Sequence, residues 1–146
     1  MKLKRTLIAV LAIVLVFGAF ALFDTVRAQT YTIEVVSLTP EKPVADVRQQ
    51  VQIKLRVTKK GKGVEGHSLF AISKNGGTFK GNRAETDEEG VASFIYIPFS
   101  ATSLQPARPV TISVIDESNS VFLEINTRFE FVIDLQPKPK TTGGAL

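Results

Sequence analysis

The rhythm of hydrophobic and polar positions changes once along this chain, near residue 30. From Thr6 to Phe23 the sequence TLIAVLAIVLVFGAFALF carries no charge over 18 residues. A helix buried in a soluble core keeps a polar face at 3.6-residue spacing, and this run has none. As a helix it spans about 27 Å, close to the ~30 Å hydrocarbon layer of a bilayer. Lys2, Lys4 and Arg5 precede it, which predicts a cytoplasmic N-terminus and everything after Asp24 outside. Two readings compete. In one, residues 1–28 are a signal peptide cut after Val26-Arg27-Ala28; in the other they are a retained anchor. A signal-peptide core is typically ~7–15 residues, shorter than this run. The lipoprotein route is closed, because no Cys follows.

Beyond Thr30 the apolar period becomes two. Val51, Ile53, Leu55 and Val57 alternate with Gln52, Lys54, Arg56 and Thr58, as do Val110, Ile112 and Val114 with Thr111 and Ser113. Such alternation predicts strands with one buried and one wet face. Turn signals at Lys59–Gly63, Asn75-Gly76-Gly77, Asp87–Gly90 and Asp116–Ser120 separate the runs. Seven strands are expected, near 31–38, 50–58, 67–73, 78–85, 90–97, 109–116 and 121–134. In the first, the apolar phase shifts between Val35 and Val36, which predicts a bulge or a change of sheet. The last is far longer than the usual ~5–6 residues: it either overruns its neighbour or breaks near Asn126. The whole predicts an all-β, Ig-like sandwich of two antiparallel sheets over 29–135, followed by a flexible Pro/Lys/Gly tail over 136–146.

Several pieces of this pattern form a longer string. Val51-x-Ile53-x-Leu55-x-Val57 is followed by Gly61-x-Gly63-Val64-x-Gly66, the Leu69–Ile72 strand, Gly76-Gly77-x-Phe79, and Thr86-Asp87-Glu88-Glu89-Gly90-Val91-Ala92-x-Phe94. Residues 50–116 thereby resemble the bacterial Ig-like domains of the invasin and intimin type. The resemblance implies an extracytoplasmic structural or binding module without catalytic residues.

Charge and composition narrow the chemistry. The chain has a formal charge of +4, but residues 1–28 hold Lys2, Lys4, Arg5 and Arg27 against Asp24 alone. The basic excess is thus largely a targeting-segment effect rather than the footprint of a nucleic-acid binder. Absence of Cys excludes disulfides and thiolate sites, and a single His and Met leave little for a zinc or copper centre. His67, as a base, pH sensor or ligand, has no second His or Cys to complete a site; the plainer expectation is a surface or strand-edge residue. Asp87, Glu88 and Glu89 lack the spacing of a calcium loop, and Asp87 is expected to bond its own turn. Lys54, Arg56, Lys59, Lys60 and Lys62 suit either an anionic headgroup or acidic partner, or simply the wet side of a strand.

One strand breaks the alternation. Ala92, Phe94 and Tyr96 share one face, yet Val91, Ile95 and Ile97 occupy the other, and Phe99 follows. Val91, Ile95, Ile97 and Phe99 are candidate partner-binding residues, unless the 100–109 loop covers them. The expected function is a non-catalytic, membrane-anchored extracytoplasmic protein, an accessory or scaffolding subunit of a membrane or envelope assembly. Alternatives are a pilin- or archaellin-like filament subunit and a secreted binding module. Lipid through residues 6–23 and a protein partner are expected; a cofactor, metal, nucleic acid or small-molecule substrate is not.

Overall fold

A computed structural model describes residues 2–139. It opens with helix α1, Lys2–Gln29, whose apolar run is exposed along its outer turns. Leu- and Ala-rich composition favours the helix. It ends where the Thr30 N–H and hydroxyl both donate to the Arg27 carbonyl, satisfying an orphan acceptor of the last turn. Among the described residues it is the one helix long and apolar enough to cross a membrane.

Among the described residues nine strands follow: β1 Tyr31–Thr39, β2 Val51–Lys59, β3 Lys62–Gly63, β4 Ser68–Ser73, β5 Thr78–Phe79, β6 Arg83–Glu85, β7 Val91–Ile97, β8 Pro109–Asp116 and β9 Arg128–Asp134. They form two antiparallel sheets, β1-β2-β7-β5 with β3 beside β2, and β6-β4-β8-β9. The alternating runs become the core: Val51, Ile53, Leu55 and Val57 of β2 face Val110, Ile112 and Val114 of β8 across the sandwich, all buried. At about 25 cal/mol per Å², burial of such aliphatic side chains is the main term holding the sheets together.

The expected strand 78–85 is divided between sheets. Thr78 pairs with Ile97, whereas Arg83 pairs with Phe70. Asn82 brings the segment across, accepting from the Ala71 N–H and donating through Nδ2 to the Ala71 carbonyl. The phase shift in β1 is a bulge between Val35 and Ser37. The long run 121–135 breaks, and pairing begins only at Arg128.

Two glycines of the motif string meet at the start of β7. A Cβ on Gly63 would stand 2.0 Å from the Glu89 carbonyl oxygen, and one on Gly90, at φ +80°, 2.5 Å from the Val57 carbonyl oxygen. Only glycine fits such contacts. Beside them the Asp87 carboxylate accepts from the N–H groups of Glu89 and Val91, so this acidic turn bonds its own backbone as expected.

At the end of the sandwich remote from α1, the tail begins bound. Gln136 bridges Val44, and the Lys138 ammonium lies 3.0 Å from Asp46. The Arg48 N–H and that ammonium hold the Asp46 carboxyl down at about 2. The remainder of the expected tail, from residue 140, lies outside the described residues.

A polar junction as candidate functional site

Where α1 enters the sandwich, apolar packing gives way to buried polar groups. Asp24 is the first charged residue after the apolar run, and it is wholly buried. Its Oδ1 accepts from the Val121 N–H at 3.0 Å; its Oδ2 accepts from the N–H groups of Phe122 at 2.8 Å and Leu123 at 2.6 Å, and from the Ser120 hydroxyl at 3.0 Å. Consecutive backbone N–H groups converging on one carboxylate form an anion nest. Here the helix supplies the anion, and the loop between β8 and β9 supplies the nest.

Further contacts fix the helix in azimuth and height. Arg27 Nε donates to the Asn119 carbonyl at 2.8 Å, and the Thr127 hydroxyl donates to the Ala28 carbonyl at 2.7 Å. Asn119, fully buried, bonds Thr127 in turn. Below Asp24, Phe122 stacks on Phe20 with ring centroids 4.4 Å apart and meets Phe23 edge-on at 5.6 Å. These contacts account for the break in the sheet here: the Asn119 carbonyl and the N–H groups of Val121, Phe122 and Leu123 serve the helix instead of a neighbouring strand.

Behind the helix end lies the single imidazole. His67 is buried rather than lying at the surface. Its Nδ1 is 2.6 Å from Oδ2 of fully buried Asp116, and its ring packs 4.9 Å from that of Tyr31. The β4–β8 pairing explains the difference, because it brings the start of β4 against Asp116 at the end of β8. A carboxylate-oriented imidazole has the form of a base and its positioner. Among the described residues, however, no hydroxyl or thiol bonds it, and no group of acidic, His or Cys side chains could hold a metal ion. Asp116 also accepts from the Ser118 N–H, which suits a structural pair closing the end of the sandwich.

The two flanks of the junction differ in charge. On one, a groove of about 520 Å³ is lined by Ala19, Leu22, Phe23 and Val26 of the helix and rimmed by Arg27 and Lys59. On the other, a cleft of about 440 Å³ carries Glu117 and Glu124, with the buried Oδ1 of Asn126 lacking a hydrogen-bond partner. Of the five basic residues singled out on β2 and its turn, Lys59, Lys60 and Lys62 cluster at this helix end. Lys54 and Arg56 stand on the outer sheet face beside Ser93 and Val91.

The four candidate partner-binding residues separate into two places. Val91, Ile95 and Ile97 lie half-buried on the outer face of β7, opposite Arg56, Gln52 and Thr78. Phe99 lies at the remote end, against the core and under the Arg108 guanidinium at 5.0 Å. Asp24, Asn119, Asp116 and Tyr31 were not marked by sequence reasoning. The signal for Asp24 was its place, a lone acid directly after an uncharged run.

No protein-family model matches the chain, and no curated protein matches it. Solved structures do. The D00-D0 domain of intimin superposes with a TM-score of 0.54 at 12% identity, over 75% of this chain and 48% of that one. A conjugative transposon lipoprotein from Bacteroides eggerthii gives 0.46 at 19% identity, over 72% of this chain and 97% of that one. The D0-D1 domain of intimin gives 0.45 at 14% identity, over 70% and 46%. The chain spans about half the length of the intimin fragments it matches. The sandwich has the fold of the intimin-type Ig-like domains.

Proposed function

We propose that this chain is a single-pass membrane protein whose Ig-like sandwich stands outside the cytoplasm as a non-catalytic accessory or scaffolding subunit of a membrane or envelope assembly. The nest around Asp24 carries the reading. Removal of residues 1–28 would leave the donors of residues 120–123, and the Thr127 hydroxyl, without their acceptors. Exchanging each bond to the Asp24 carboxylate for one to water forfeits about 1.5–3 kcal/mol, the net worth of a hydrogen bond to a charged group. A discarded leader has no need of a buried carboxylate shared with the mature domain. A retained helix does, because the contacts set the angle at which the sandwich leaves the bilayer.

The partner-facing surface is the outer face of β7 at Val91, Ile95 and Ile97. Native purification in mild detergent tests the subunit role: a defined complex with other chains is expected, and a lone monomer would contradict it. Replacing Ile95 with Lys should release the partner while the sandwich stays folded; unfolding instead would make that face structural.

A filament subunit is the second reading, favoured by a rigid junction and a helix whose apolar run is exposed up to the Phe20–Phe122 contact. It requires processing just ahead of Thr6, and an N-terminus there would select it.

A further inference from the structure

The basic turn between β2 and β3 is poorly explained as a wet strand end. Lys59 stands directly opposite Lys62 in the antiparallel register, with Lys60 between them at φ +52°. Like charges placed opposite each other disfavour the pairing. Among the described residues none of the three, nor Arg27, forms an ion pair. Arg27 and Lys59 reach the same Tyr31 ring, their cationic centres 5.9 and 5.1 Å from its centroid. Beneath them runs the groove whose helix wall is apolar and which no carboxylate lines.

Depth in the bilayer identifies what would fill it. The apolar run ends at Phe23, and Phe122, half-exposed, marks the same level on the sandwich side. Arg27 lies one turn further on, about 6 Å higher. The headgroup layer adds roughly 5–8 Å beyond the hydrocarbon on each side, so Arg27 and Lys59 stand at phosphate height.

We propose that this groove binds one anionic phospholipid, its phosphate between Arg27 and Lys59 and an acyl chain along Ala19, Leu22 and Val26. Lys60 and Lys62 add to the positive field at the same level. The proposal rests on the membrane-anchored reading, and it explains both the paired lysines and the cation-rimmed apolar wall.

Native mass spectrometry of the full chain in mild detergent, mixed with equimolar phosphatidylglycerol and phosphatidylcholine, provides the test. Wild type should retain phosphatidylglycerol over phosphatidylcholine. Lys59→Gln should cut that preference roughly fivefold, and Arg27→Gln with Lys59→Gln by more than tenfold, at about a fivefold loss per cation near a charged surface. Lys59 is exposed and touches the core only through its ammonium over the Tyr31 ring, so its variant folds even if that of Arg27 does not. Lys54→Gln with Arg56→Gln should leave the preference intact. Equal retention of the two lipids, an equal loss in the Lys54/Arg56 variant, or displacement of the lipid by glycerol 3-phosphate would overturn the site. Membrane pelleting separates the premises: a chain that pellets without lipid preference refutes the site alone, and a chain that does not pellet refutes the anchor.

Discussion

The end of the sandwich beside the helix is closed by polar groups, and the opposite end by apolar side chains and backbone. Among the described residues the buried polar ones are Asp24, His67, Thr86, Ser113, Asp116 and Asn119, and all but Ser113 belong to the helix end. At the remote end Ala45 and Leu135 are buried, and the Ala101 N–H donates to the Ala45 carbonyl. Apolar closure is satisfied by many arrangements of similar volume. A carboxylate bound by three consecutive N–H groups is satisfied by few, and every unmet donor is costly. The contrast teaches that the fold concentrates its geometric specificity where the helix joins, fixing one orientation between the apolar helix and the sandwich.

Substitutions at different heights in the sandwich can break this contrast. Leu55→Ala, in the core shared by both ends, should cost about 2–5 kcal/mol and unfold both together in a thermal melt of the detergent-solubilised chain; separate transitions would mean that the ends are independent. Asp24→Ala should lower the melting temperature by roughly 10 °C. It should also expose the bond after Arg27 to trypsin and speed hydrogen exchange at Val121–Leu123, with no change at Ala45 or Ala101. Equal acceleration at both ends would erase the distinction. Asp116→Asn keeps an acceptor for Ser118 but weakens the bond to His67, and should cost about 1 kcal/mol, read from the denaturation midpoint.

The smallest effect belongs to the remote end and to acid. The Asp46 carboxyl, held at about 2 by the Arg48 N–H and Lys138, contributes stability that is present above the ordinary carboxyl range near 4. That contribution is lost as pH falls toward 2, because the unfolded chain takes up the proton first. Lys138→Ala should remove part of this slope and shift the melting temperature by no more than about 2 °C at neutral pH. A larger shift would mean that the start of the tail helps to close the sandwich.

Much of the architecture was legible in the chain because it follows from period and punctuation. The uncharged run Thr6–Phe23 and the two-residue alternation in β2 and β8 are local signals; the phase shift after Val35 and the overlong run 121–134 marked irregularities, each with two forms open, and the structure makes them a bulge and a break before Arg128. The junction was not legible. The contact between Asp24 and Val121 joins residues 97 positions apart, and nothing in the neighbourhood of either names the other. His67 looked like an edge residue because its partner Asp116 lies 49 positions away in sequence and is delivered only by β4–β8 pairing. The division of 78–85 between sheets escaped for a related reason: Lys80-Gly81-Asn82 reads as part of one strand until the two edges that claim its halves are known.

The central claim is that α1 remains part of the folded protein, locked to it at Asp24. Intact mass and N-terminal sequence of the protein extracted from its native membrane test this most directly. The account predicts a chain beginning at or before Thr6, with the helix present. A mature protein beginning at Gln29 would contradict it.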